Sequence, residues 1–178
     1  MNNLEQNYTL NTAIKGHVRI WEYSPDVGIG KLLFDKPNLI TYQGADIAAR
    51  ALAGQLNSAI NYIYVGYDTG SHPTITPALG DNAASFSTKI AVPLAYAPGF
   101  STTDNTKYQT NEAFYTIYLT GFDGTRTTSL VNGDFINSLG LINRVAGTDY
   151  LFSHIAVSPY VTYNHSLAIT WGLTFTSS

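Results

Sequence analysis

Asn38-Leu39-Ile40-Thr41-Tyr42-Gln43-Gly44-Ala45-Asp46, followed by Ile47 through Leu56 and then by Asn61-Tyr62-Ile63-Tyr64-Val65-Gly66, decides the fold. It reads as the end of a strand, a turn, one short helix and a second strand. Ile47, Ala48, Ala51, Leu52 and Leu56 recur at helical spacing and give a single apolar stripe. The helix is expected over residues 43–56. Gly44-Ala45-Asp46 lies near its start, where an acid suits the helix dipole, and Gly54 near its end. It is the one break in a chain otherwise patterned as strand and loop.

Working outward, Val18 and Ile20 begin a two-residue alternation that stops at Ser24-Pro25-Asp26. Residues 26–30 hold two glycines and form a hairpin loop, and residues 31–40 return as a second strand. Pro37 marks the end of that strand as an edge or a bulge. Further strands are expected at 59–67, 86–97, 108–121, 134–143, 150–158 and 166–176, with turn signals between most of them. The glycine- and threonine-rich stretches 98–106 and 122–133 are expected to be contact loops or interface elements. This spacing predicts an all-β fold: an antiparallel β-sandwich, jelly-roll-like, of about eight strands with one short helix. Residues 1–14 are polar and aperiodic and form an N-terminal arm, and residues 15–178 form a single domain. The core is expected to contain Ile20, Leu39, Ile47, Leu52, Ile63, Val65, Ile117, Leu141, Phe152, Ile169, Trp171 and Leu173.

Composition narrows the function. Hydrophobic residues make up 44% of the 178, enough for a core, whereas charged residues are only 12%, about half the usual share. Nine basic and twelve acidic residues give a formal net charge of -3. A nucleic-acid partner, which calls for a basic stripe, is not expected. A surface of Asn, Thr, Ser, Gly and Tyr suits packing against neighbours, because few charges need to be desolvated. Cysteine is absent, which removes disulfides and thiolate chemistry and fits folding in a reducing cytoplasm. The first seven residues lack the basic start and apolar core of a signal peptide, and no apolar run approaches the roughly 20 residues of a membrane span. No membrane association is expected.

Residues that could carry chemistry are sparse. Gly28-Ile29-Gly30-Lys31 lacks the spacing of a phosphate loop, and Leu32 stands where a hydroxyl should hold magnesium, so a hairpin turn is the favoured reading. His17, His72, His154 and His165 show no ligand spacing. Asp123, Asp134 and Asp149 lie in turn-like settings, and no Gly-x-Ser-x-Gly elbow occurs. The expectation is a protein that is not an enzyme, with no catalytic residue, no metal and no cofactor. Tyrosine, at 13 residues, is the enriched side chain with binding potential. Tyr62 and Tyr64 share a strand face, and Tyr108, Tyr115 and Tyr118 lie along another strand.

Several short blocks then carry a likeness. Asn38-Leu39-Ile40-Thr41 with Gly44, and Tyr64-Val65-Gly66, form the first. Phe135-Ile136-Asn137-Ser138-Leu139-Gly140-Leu141-Ile142 forms the next, with Ile142 where relatives carry Phe after Gly-Leu. Tyr150-Leu151-Phe152-Ser153-His154-Ile155 follows, and Ser166-Leu167-Ala168-Ile169-Thr170-Trp171 ends in a recurrent Thr-Trp pair. Together they resemble small virion structural proteins of tailed bacteriophages. The resemblance implies a virion structural protein. One small domain with no fibre repeat, coiled-coil heptad or second module makes an accessory capsid decoration, or cement, subunit bound to the major capsid protein or other virion proteins the leading expectation. The implied location is the virion, assembled in the host cytoplasm. A homo-oligomer, most simply a trimer, would multiply the contacts of so small a domain. The alternatives are a tail, collar or baseplate component, and a sugar-binding β-sandwich that aids host adsorption.

Overall fold

Four pairs of strands consecutive in the sequence lie side by side among the described residues. A computed structural model describes residues 12–24, 26–55, 57–69, 74–94, 99–102, 110–119, 134–161 and 166–177. Its strands are β1 (Thr12–Ser24), β2 (Gly28–Ile40), β3 (Tyr62–Asp68), β4 (Lys89–Pro93), β5 (Gly99–Thr102), β6 (Thr110–Leu119), β7 (Phe135–Val145), β8 (Thr148–Val161) and β9 (Ser166–Ser177). Helix α1 (Tyr42–Leu52) connects β2 to β3. The pairs β1–β2, β3–β4, β5–β6 and β7–β8 are all antiparallel. β9 lies between β1 and β6, and β3 lies beside β7. The result is one sheet in the order β4-β3-β7-β8-β2-β1-β9-β6-β5.

The sheet has two halves that meet at a narrow seam. Among the described residues, β2 touches β8 in register only at Leu39–His154 and Ile40–Ser153. Pro37 lies just before this seam and faces His17 of β1. The side of β2 away from β1 therefore has no registered partner at Pro37, which is how a strand interior tolerates proline. Val18, Ile20, Ile117, Ile169 and Trp171 from one half share a core with Ile63, Val65, Ile90, Leu139 and Leu141 from the other. One sheet curls around one core as a nearly closed, barrel-like body. Both edge strands are short, and β4 carries Lys89 and Pro93, features that discourage edge-to-edge pairing.

The antiparallel β class with one helix is as expected, and several details differ. Among the described residues there are nine strands, because β5 falls inside the stretch 98–106 expected to be a loop. Its Gly-Phe-Ser-Thr sequence has no alternation to reveal it, and among the described residues it pairs with β6 alone. The helix starts one residue earlier and stops at Leu52 rather than at residue 56. Gly54 takes a positive φ of 71° and ends it. Leu56 lies outside the described residues. Of the expected core, Leu39 is half-buried and Leu52 is 83% exposed. α1 docks through its first turns, burying Gly44 and Ile47, and Leu52 lies beyond that contact. β1 begins at Thr12, inside the expected arm, because Thr12 and Ala13 pair with Ser177 and Thr176. Residues 1–11 lie outside the described residues.

Trp171 is fully buried in the shared core. Truncating it to Ala removes a bicyclic ring that little around it can replace. The expected loss is about 3–5 kcal/mol, read as a lower urea midpoint at unchanged slope. An unchanged midpoint would contradict this placement.

Candidate functional site

A concavity lies where α1 stands over the end of the sheet. Thr41 is buried and does two things at once. Its hydroxyl caps α1 by accepting the Gly44 N–H at 3.0 Å and also donates to the Leu151 carbonyl of β8. Its own N–H donates to the Phe152 carbonyl at 3.1 Å, and the Gln43 side chain accepts from the Leu151 N–H at 2.9 Å. Gly44 lies so close to the Phe152 carbonyl that a Cβ would collide with it. These contacts fix the first turn on β8 and leave the later turns to lean over open space. The cavity beneath has a volume of about 330 Å³, with Ala48 and Leu52 on the helix side and Tyr115, Phe152, Leu173 and Phe175 on the sheet side.

A second cluster lies on β3 and the β7–β8 hairpin. Arg144 grips Asp149 with two hydrogen bonds, of 2.5 and 2.9 Å, and Tyr64 donates its hydroxyl to the same carboxylate. The Arg144 guanidinium also stacks 4.1 Å from the Tyr62 ring centre, and the Lys89 ammonium lies 4.9 Å from that of Tyr64. The Arg144 hydrogen bonds hold the Asp149 carboxyl below its usual range, against the opposing effect of burial. Burial, together with the Asp149 hydrogen bond, raises the Tyr64 phenol. Every charge here has a partner, which makes the cluster a brace between strands.

A third group is buried. His154 Nδ1 lies 2.7 Å from Asp81, and the ring packs 4.8 Å from Phe86. Burial opposes ionisation of Asp81, but the Ala78 N–H and the His154 ring outweigh it and keep the carboxyl below its ordinary value. No serine, threonine or lysine reaches the other ring nitrogen, which has no partner among the described residues. The pair pins the 74–88 segment to β8 and lacks the nucleophile of a hydrolytic triad.

The residues singled out in the sequence are dispersed. His17 pairs with Asp35 on exposed strand surface, and Tyr118 is exposed on β6. Tyr62 and Tyr64 do share a face and pack together in a small cluster with Phe86, Ile142 and Leu151. Asp134 is buried at the start of β7. His72, His165, Tyr108 and Asp123, with the 122–133 stretch, lie outside the described residues. Among the described residues no three His, Cys, Asp or Glu converge as a metal site, and no helix is long and apolar enough to cross a membrane. The cavity was not anticipated. Its signal was the small residues Ala48, Ala51, Ala59 and Ala113, which leave volume unfilled.

No family model, no curated protein and no solved structure matches this chain.

The Asp149 brace predicts a pH dependence. A carboxylate with a depressed folded pKa stabilises the fold above its unfolded value, near 4, and that contribution fades as the pH falls through the lower folded value. Asp149→Asn should cost about 1–2 kcal/mol at pH 7, allowing for partial exposure. The gap between wild type and variant should narrow below about pH 4. A constant gap down to pH 2, followed by thermal melts, would count against the brace.

Proposed function

We propose that this chain is a structural subunit of a tailed-bacteriophage virion: an accessory capsid decoration protein that binds and stabilises the shell. The observation that carries the reading is the placement of its exposed apolar side chains. Val27, Ile29 and Leu32 project at the β1–β2 hairpin, and Tyr42 and Leu79 form a second group at the start of α1, all exposed. Grouped apolar residues on a surface with so few charges are the mark of protein–protein contact. The short edge strands favour docking by side-chain patches over strand addition. The sequence resemblance supplies the class of assembly. Within this reading the architecture is a jelly-roll-like sandwich, its two halves stacked across the shared core.

Quantitative mass spectrometry and antibody labelling of purified particles test this directly. The subunit should decorate the shell in numbers that scale with the capsid lattice. A fixed small number at one vertex would make it a tail, collar or baseplate component, and absence from particles would overturn the virion role. The double variant Val27→Asp, Ile29→Asp should melt within about 1 kcal/mol of wild type, because both side chains are exposed, yet lose occupancy on particles. Wild-type occupancy would refute the role of the hairpin patch.

In this reading the N-terminal segment, expected as an arm over residues 1–14, contacts a neighbouring copy in a homo-oligomer, a trimer on a three-fold site. Within the expected arm of residues 1–14, Thr12 already belongs to the sheet, so the segment to delete is residues 1–11. Deleting it should leave the melting transition intact and weaken retention on particles. With so few charges, that retention should change little between low and high salt. Full retention without the arm, or release by modest salt, would contradict the account.

A further inference from the structure

We infer that the cavity beneath α1 is a binding site for an uncharged, apolar small molecule carrying one hydrogen-bond acceptor. This goes beyond the structural role proposed above and does not depend on it. The cavity's volume of about 330 Å³ is roughly twice that of an engineered cavity that takes up benzene, and it reaches the range of natural ligand pockets. Two fused rings with a short substituent fit it. Its wall is apolar, and none of its lining residues bears a charge at neutral pH. An ionised ligand would lose its hydration with nothing to replace it.

One wall residue supplies polarity with no partner among the described residues. Tyr115, in the middle of β6, lines the cavity and is only 8% exposed. Its hydroxyl makes no hydrogen bond to any described residue, whereas the Ser58 hydroxyl, also in the wall, already donates to the Gln55 carbonyl at 3.0 Å. A ligand carbonyl or ether oxygen would satisfy the Tyr115 donor, while the ring body of the ligand covers Phe152 and Leu173. Leu52, otherwise exposed, would close over it from the rim.

The test uses two uncharged naphthalene probes and the full chain. One is 6-propionyl-2-dimethylaminonaphthalene, which bears a ketone and shifts its fluorescence to the blue in dry surroundings. The other is 2-dimethylaminonaphthalene, which lacks the ketone. The ketone should bind saturably at one site per chain. Tyr115→Phe should weaken it about three- to tenfold and leave the other probe unchanged. Ala48→Phe, which fills the cavity, should abolish binding of both, with thermal melts confirming that each variant is folded. Failure of the ketone to bind overturns the inference. So does unsaturable binding, equal affinity for both probes in wild type, or binding that neither variant alters.

Discussion

Among the described residues the structure depends on a short seam, in which two residues of β2 register with β8. Where β2 ends, Leu39 and Ile40 meet His154 and Ser153 of β8, and through that contact the halves of the sheet become one. Ser153 is fully buried; its hydroxyl donates to the Leu39 carbonyl at 2.7 Å and accepts from the Asn38 side chain. Asn38 lies across Gly16 of β1, where any Cβ would strike it. Thr41 continues the seam by one residue and turns the chain into α1. Buried hydroxyls and amides of this kind are costly when unpaired and strongly orienting when paired, so they fix register where backbone pairing is sparse.

Other features follow from this short join. With so little pairing at the seam, the halves can fold toward each other and enclose a common core. The same turn launches the helix at the open end of the sheet. Gly44 holds it close enough to bury Ile47, and its last turn overhangs the cavity and leaves Leu52 in water. The outer face of β3, β7 and β8 is covered differently. Phe86 packs over Gly140, and the His154–Asp81 pair ties down the loop that carries it. Among the described residues, most of the large apolar side chains that remain exposed lie at the β1–β2 hairpin and around the helix.

Much of this was legible in the sequence, for physical reasons. Strands whose inner face alternates around Ile20, Val65, Ile117 and Trp171 announce themselves, because burial enforces the period of two. The helix was legible through Ile47 and Ala48, and its overrun to residue 56 came from Leu52 and Leu56 continuing a spacing that Gly54 interrupts. β5 was hidden because a four-residue edge strand needs little hydrophobicity of its own. The cavity was hidden for another reason: it is made by alanines and a tyrosine from three separated segments, and no local pattern records a volume that side chains fail to fill. The Arg144–Asp149 brace was half visible, since Asp149 was read as a turn residue and its partners on β3 emerged only with the register of the sheet.

Native-state hydrogen exchange on wild type and Thr41→Val tests most directly whether the seam holds the halves together. The substitution keeps the shape of the side chain and removes its hydroxyl bonds to α1 and β8, a loss of about 1–2 kcal/mol. If the seam governs the whole sheet, the amides of Ile63 and Val65 in one half and of Ile117 and Ile169 in the other lose protection together and by the same amount. Loss confined to α1, with both halves of the sheet as protected as before, would show that Thr41 merely caps a helix and that the shared core alone holds the halves together.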